Sequence, residues 1–245
     1  TESDTEVLYY LLIKEGIEAF KLLRGMFSII FFDKDQETFL CCRDEFGIKP
    51  LFYSQYDGYF SLSSEIKALK LLNKRSYLDK KVIEDYILYS ITDTKKTFFN
   101  DIKELPPGKV FKWSKENGLE EKLNFCLNFM HIEYDNKKNF LEFVESTKEK
   151  LLKSTQIHLM ADVEVGISLS SGVDSSLLAS LVNHISNKNK LKAFTVEFEE
   201  FNNETNDALK YASKNGFEHI VTRMRKDQLF PLLIEQIQIQ DCPAG

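Results

Sequence analysis

Four cysteines are all the sulfhydryl chemistry on offer, Cys41, Cys42, Cys126 and Cys242, and no two have the two-residue spacing of zinc-binding or redox pairs. That scarcity suits a reducing compartment, and a cytoplasmic location is the expectation. No apolar run nears the roughly 20 residues that cross a bilayer, and the acidic opening through Glu2, Asp4 and Glu6 is unlike a cationic signal peptide. A soluble chain with no membrane partner is therefore expected. A basic surface is missing too: 32 Lys and Arg face 38 Asp and Glu, for a net charge of -6 with both signs scattered. Nucleic acid is thereby excluded as the expected partner. Internal repeats and low-complexity tracts are absent. So are an initiator Met and a closing element around Pro243, Ala244 and Gly245, and the sequence reads as cut at both ends from something longer.

What is present suffices for one large domain or two ordinary ones, since the 245 residues are 43% apolar and 13% aromatic. Ser3 followed by Glu6 is a capping-box pattern, and Val7, Leu8, Leu11 and Leu12 recur at helical spacing. The first element is predicted to be a helix. Residues 25–32 and 38–43 read as a hairpin, and 51–54 with 59–62 as a second strand pair across Asp57 and Gly58. Ser64 is predicted to cap a helix reaching Leu72, and Asp79 another reaching Tyr89. After Pro106, Pro107 and Gly108 comes one more strand, 109–113.

Asn117-Gly118 marks a turn, and 124–138 shows no sustained period, which places a linker there between domains at 1–123 and 139–245. Beyond it the rhythm changes. A helix with Phe140, Phe143, Val144, Thr147 and Leu151 on one face precedes a strand at 163–169. A helix at 175–185 follows, presenting Leu177, Leu178, Leu181, Val182 and Ile185 inward. Then come a strand at 192–196, a helix at 207–215 stopped by Gly216, a short strand near Ile220 and a helix to Ile239. Alternating strands and helices argue for a parallel, doubly wound sheet. The expected fold is α+β, followed by α/β.

The stretch most suggestive of chemistry is Ser170, Ser171, Gly172, Val173, Asp174, Ser175 and Ser176, between the strand ending at Leu169 and the next helix. A small-residue loop there exposes backbone N–H groups, and the helix dipole adds partial positive charge. That is an anion cradle. Serine hydroxyls donate to phosphate oxygens, while Asp174 repels bare phosphate and so implies an intervening Mg²⁺. No Lys follows the glycine in the Walker position, so a kinase-like P-loop does not match. The competing reading is an ordinary strand-to-helix turn with Asp174 or Ser175 as N-cap and Gly172 supplying permissive backbone.

This loop resembles the S-G-G-x-D-S signature of PP-loop ATP pyrophosphatases. Ser3-Asp4-Thr5-Glu6, Arg24-Gly25-Met26-Phe27, Arg43-Asp44, Gly47-Ile48-Lys49-Pro50-Leu51, Ser64-Glu65-Ile66-Lys67-Ala68-Leu69 and Leu105-Pro106-Pro107-Gly108 precede it in order. With them, the chain resembles the glutamine-hydrolysing asparagine synthetase family over nearly its whole length. The resemblance implies an Ntn-type αββα sandwich of the class II glutamine amidotransferase kind at 1–123, without its N-terminal part. It also implies a PP-loop ATP pyrophosphatase domain at 139–245, without its C-terminal part. In such proteins glutamine is hydrolysed, ammonia travels internally, and aspartate is adenylated and then amidated, giving asparagine, AMP, pyrophosphate and glutamate.

The implied ligands are ATP, Mg²⁺, glutamine and aspartate or another carboxylate, with a homodimer as the implied assembly. By similarity, Asp4 holds the α-amino group of glutamine. Leu169 and Val196 contact adenosine, and Ser170, Ser171, Gly172, Asp174 and Ser175 the phosphates, with Asp174 reaching Mg²⁺ through pyrophosphate. On the residues alone, Leu169 and Val196 read as core and Asp4 as a helix-start carboxylate. Arg43, Asp44 and Lys49 read as a polar turn around Gly47 and Pro50, and Glu65 and Lys67 as a solvated first helical turn.

Four departures from the family pattern stand out. None of the cysteines lies in the context of the family's N-terminal nucleophile, so no catalytic residue is assigned in the glutaminase half and the fragment is expected not to hydrolyse glutamine. Ser171 replaces the usual first glycine, which is comfortable only at negative φ. Glu197 stands where glycine commonly follows the second strand. Asp241-Cys242-Pro243 resembles a D-E-P segment with Cys in place of the acid. The acceptor therefore stays open between aspartate and another carboxylate, such as a sugar acid or a cyclising amino acid, and a non-catalytic ATP-binding homologue is the third reading.

Overall fold

The computed structural model describes residues 3–72, 76–92, 95–125, 139–186, 191–199 and 202–243. It divides into two compact units, Thr1–His131 with Gln236–Gly245, and Ile132–Glu235. From residue 126 onward, the linker expected at 124–138 lies outside the described residues, as does Cys126.

In the first unit, helix α1 (Asp4–Glu15) is capped by Ser3, whose Oγ accepts from the Thr5 N–H, and a 3-10 segment, Gly16–Leu22, follows. Strands β1 (Ser28–Asp33) and β2 (Thr38–Arg43) form the expected hairpin. Its turn is closed by Asp33 Oδ1, which accepts from the N–H groups of Asp35 and Gln36. A second hairpin pairs β3 (Phe52–Tyr56) with β4 (Tyr59–Ser63). Helix α2 (Ile66–Leu72) follows, but Ser63 rather than Ser64 supplies the hydroxyl at its start, accepting from the Glu65 N–H at 3.1 Å. Helix α3 (Lys80–Tyr89) begins at Asp79 as expected, with Oδ1 accepting from Lys81 and Val82.

Strands β5 (Ile102–Glu104), β6 (Lys109–Ser114) and β7 (Gly118–Asn124) complete two antiparallel sheets, ordered β1-β2-β6-β7 and β4-β3-β5. Neither β5 nor β7 is predicted from the sequence. β5 is three residues long, too short to show a period, and β7 carries Glu120, Glu121 and Lys122 because it is an edge strand with solvent beside it.

Strand alternation builds the layers of this unit. Cys41 packs between the two sheets with Leu51, Leu105, Tyr53, Leu62, Phe111 and Leu119. Its neighbour Cys42 points the other way, into a cluster with Leu12, Ala19, Phe20 and Val110 beneath α1. Period-two geometry thus sends adjacent thiols to opposite faces of one sheet. Phe60 and Trp113 stack between the sheets with centroids 5.0 Å apart and planes 6° apart. On the far side of the second sheet, Ile66 and Leu69 of α2 pack on Ile102, Phe52 and Phe99. Each fully buried side chain of this size contributes about 1.5–3 kcal/mol.

The second unit runs α4 (Phe140–His158), β8 (Gly166–Ser168), α5 (Val173–Ile185), β9 (Lys192–Phe198), α6 (Asn202–Asn215), β10 (Glu218–Met224) and, as far as Glu235, α7 (Lys226–Gln240). The strands form a parallel sheet in the order β10-β9-β8. Ile167, Leu169 and Ala193 pack against Ala179 and Val182 of α5 and Ala208 and Ala212 of α6, so alanines let both helices approach one sheet face closely. Phe194, Val196 and Phe198 alternate onto the opposite face and are exposed. Gly216 ends α6 at φ +76°, as its position predicts.

One expectation for the helices fails. Leu177 and Leu178 are 46% and 45% exposed rather than inward, because α5 meets the sheet through Ala179 and Val182 and its next face borders a cavity. Helix α4 forms where its period predicts, with Phe140 and Phe143 exposed near its start. The end of α7 groups with the first unit, where the Lys67 N–H donates to Asp241 Oδ2 at 3.0 Å. Lys67 Nζ donates to the carbonyls of Gln238 and Ile239, so Lys67 caps the last turn of α7 rather than only facing solvent. Among the described residues, no helix is long and apolar enough to cross a membrane.

Candidate functional site

The loop at 170–176 leaves the carboxyl end of β8 and enters α5, and its shape is set by one hydroxyl. Ser175 Oγ accepts from the Ser170 N–H at 3.2 Å and lies 2.9 Å from Ser170 Oγ. It also sits 3.1 Å from the carbonyls of both Ser170 and Gly172. Ser170 Oγ in turn accepts from the Gly172 N–H at 3.2 Å. The N-cap of α5 is Gly172, with φ -69° and ψ 153° and no side-chain cap bond, so neither Asp174 nor Ser175 takes the capping place that the plain-turn reading gives them. A helix start without a side-chain acceptor leaves its first N–H groups for an external anion. A Cβ on Gly172 would stand 3.2 Å from Ser170 Oγ, which makes the absence of a side chain a steric matter rather than one of φ.

Ser171 sits in this loop without strain. The non-glycine residues with positive φ among those described are Glu37, Asp57, Ser90 and Asp241. Ser170, Ser171, Gly172 and Asp174 are exposed. Asp174 also borders a cavity of about 480 Å³ between α4, β8 and α5, where it is the acidic group in a wall formed largely by Leu151, Leu177, Leu178 and Leu181.

Leu169 and Val196 do not present side chains to a common surface. Leu169 is buried in the core, while Val196 is 51% exposed on the other sheet face. Glu197 lies within β9, not after it, because the strand continues to Phe198. It stands opposite Arg223 of β10, and the pair closes at 2.6 Å. With Glu199 and Asn206 they line a polar cavity of about 440 Å³.

Sequence reasoning misses what stands behind the loop. Thr195 Oγ1 donates to the Leu169 carbonyl at 2.6 Å and is 2.8 Å from His219 Nε2. His219 Nδ1 is buried with no partner among the described residues, and burial holds this imidazole below the usual histidine range.

In the first unit, Asp4 opens α1 and borders a cavity of about 570 Å³ together with Thr5, Leu8, Arg24, Gly25 and Phe27. Arg24 brings a cation to the same cavity as Asp4. Arg43 and Asp44, by contrast, are enclosed at 4% and 1% exposure. The Asp44 carboxylate accepts from the backbone N–H groups of Phe27, Phe46, Ile48 and Lys49 at 2.9–3.3 Å. Burial pushes its pKa up, but the four donors together outweigh that and hold it below the usual range. Arg43 donates to the carbonyls of Lys49, Leu105 and Gly47 and pairs with Glu104 at 2.7 Å. Both groups are saturated by the protein itself, which is the geometry of a turn organised around Gly47. Cys41 and Cys42 are no nucleophiles either, since burial pushes the Cys41 thiol up to about 12 and that of Cys42 higher. Cys242 is half-buried, and burial, then the charges of Glu104 and Asp241, raise its thiol too.

Residues 1–123 match the glutamine amidotransferase domain family, and residues 146–245 match asparagine synthase. Asparagine synthetase [glutamine-hydrolyzing] 1 of Bacillus subtilis (strain 168) is 31% identical over 221 residues, covering 90% of this chain and 34% of that protein. A putative asparagine synthetase [glutamine-hydrolyzing] 2 of Methanocaldococcus jannaschii is 30% identical over 204 residues, covering 81% of this chain and 39% of that one. Amidase chry2 of Gibberella zeae is 27% identical over 220 residues, covering 81% and 31%. The chain thus spans about a third of the length of these curated relatives. Two family matches in succession, the first covering half the sequence, establish that the chain belongs to the glutamine-hydrolysing asparagine synthetase family.

Proposed function

We propose that the chain carries the nucleotide loop and part of the glutamine site of a ligase that forms an amide from glutamine nitrogen through an acyl-adenylate, with aspartate as acceptor and asparagine as product. In this reading, 1–123 is an Ntn-type glutaminase domain and 139–245 a PP-loop ATP pyrophosphatase domain. A carboxylate oxygen attacks the α-phosphorus of ATP and pyrophosphate leaves. Neutral ammonia then attacks the acyl carbon, and AMP departs. Activation is needed because a bare carboxylate has no adequate leaving group.

The observation that carries the proposal is the uncapped N-terminus of α5 behind an exposed loop of serines and glycine. Its N–H groups and the Ser170, Ser171 and Ser175 hydroxyls hold the pyrophosphate end and oppose charge building on the leaving group. Val196 offers an exposed apolar surface for adenine, and Leu169 acts through its backbone and through the core that fixes the loop. Asp4 takes the ammonium group of glutamine, and Arg24, on the same cavity, suits the carboxylate.

No group of three His, Cys, Asp or Glu among the described residues forms a metal cage. The lone exposed carboxylate of Asp174 beside the loop fits a Mg²⁺ ion held chiefly by the phosphates of ATP. When bound, Mg²⁺ offsets negative charge on the pyrophosphate.

Isothermal titration of the full-length protein with Mg-ATP tests the reading. Saturable heat, and conversion of ATP to AMP and pyrophosphate that Asp174→Ala abolishes, are the expected results; no binding heat would count decisively against it. A second acceptor chemistry is favoured by the relative whose name is an amidase. Product analysis with aspartate and with other carboxylates separates the two, and asparagine formed at a normal rate excludes the second.

A further inference from the structure

We infer that Thr195 and His219 are positioning residues of the nucleotide loop, clamping the Leu169–Ser170 peptide so that the loop is shaped before any ligand arrives. The inference rests on the proposed role of that loop for its functional meaning, though not for its geometry.

The Leu169 carbonyl is the last backbone acceptor before the loop, and a carbonyl can only accept. The 2.6 Å contact therefore fixes the Thr195 hydroxyl as donor. With its single proton committed, Thr195 Oγ1 can meet His219 Nε2 at 2.8 Å only by accepting, so Nε2 carries the hydrogen. In the neutral ring, the bare lone pair then falls on Nδ1, the buried atom without a partner. A second N–H at Nδ1 would be buried with nothing to receive it, which keeps the ring neutral and the tautomer single. The chain runs in one direction: His219 donates to Thr195, and Thr195 donates to Leu169.

At the far side of the same peptide plane, the Ser170 N–H donates to Ser175 Oγ at 3.2 Å. The plane is held at both ends, by β9 and β10 behind it and by the first turn of α5 in front. Ser170 Oγ, which accepts from Gly172, inherits its place from that plane. A free peptide could rotate and carry the Ser170 hydroxyl, and with it the turn that leads into the uncapped start of α5, away from an incoming phosphate. Fixing it beforehand removes an ordering cost from binding. Thr195 and His219 touch no ligand in this scheme; they act through Leu169.

The test uses the full-length protein without nucleotide. In Thr195→Val, hydrogen exchange across 169–176 should quicken about tenfold, the loss of one buried hydrogen bond, while the slowest amides of β9 stay unchanged. Thr195→Ser, which keeps the hydroxyl, should restore protection. Unchanged loop exchange in Thr195→Val would overturn the inference. Should that variant fail to fold, the ¹⁵N spectrum of the unsubstituted protein decides: His219 must show a protonated Nε2 and a bare Nδ1, and the opposite tautomer refutes the relay. Titration with Mg-ATP is the functional arm. Thr195→Val should bind about tenfold more weakly and Thr195→Ser nearly normally. If the unsubstituted protein binds no Mg-ATP, the proposed function falls, while the exchange and tautomer results still decide whether the clamp exists.

Discussion

Two polar clusters can be set side by side, the Arg43–Asp44 turn of the first unit and the 170–176 loop of the second. Both combine small residues, an Asp and a tight chain reversal. In the first, every strong group is spent internally: Asp44 is 1% exposed with four backbone donors, and Arg43 holds three carbonyls and Glu104. In the second, hydroxyls bond to one another, the helix N-terminus has no side-chain cap, and Asp174 is exposed. Polar groups that satisfy one another out of water define a turn, whereas polar groups held in place yet still open define a site.

That contrast can be broken by experiment. The largest effect is expected at Asp44→Ala, which leaves four backbone N–H groups without the carboxylate that receives them. The first unit should lose about 3 kcal/mol or more in denaturant unfolding, with Mg-ATP affinity in the surviving folded protein unaltered. Ser175→Ala removes the hub hydroxyl of the loop and should cost about 1 kcal/mol of stability. Its Mg-ATP affinity should fall about tenfold by titration calorimetry. Asp174→Ala should shift stability by less than about 0.5 kcal/mol and yet eliminate AMP and pyrophosphate formation. Equal destabilisation by Asp44→Ala and Asp174→Ala would erase the distinction.

Acid should sharpen the same comparison in time order. His219 is depressed below its unfolded value, so the unfolded state binds the proton first; stability of the second unit is full above about pH 6.5 and falls as pH drops toward the folded pKa. Asp44 is also depressed, but from a carboxylate value, so its contribution is full above about pH 4 and is lost as pH falls through its folded pKa. Unfolding followed by hydrogen exchange against pH should show the second unit weakening first. His219→Phe should flatten its upper limb without moving the acid limb of the first unit.

Much of the frame was legible because its signals are local. Ser3 and Asp79 cap where a carboxylate or hydroxyl can reach back two or three residues, and β2 has the expected bounds because an apolar strand between turns has few alternatives. Gly216 stops a helix because φ +76° suits little else. What escaped was set by distant partners. β7 looks charged until the edge of its sheet explains it, and Leu177 looks inward until the alanine-lined contact of α5 takes that place. The position of the loop at 170–176 could be read, whereas the hydroxyl and imidazole behind it could not. Thr195 and His219 stand 24 residues apart, and only the register of β9 and β10 joins them.

The opposed facing of Cys41 and Cys42 has a practical corollary. Each buried thiol becomes reactive only when its own layer opens: Cys41 when the two sheets part, Cys42 when α1 lifts away. Timed alkylation followed by mass spectrometry would therefore read two separate openings from neighbouring residues. The first unit carries its own pair of molecular clocks, one for each side of a single sheet.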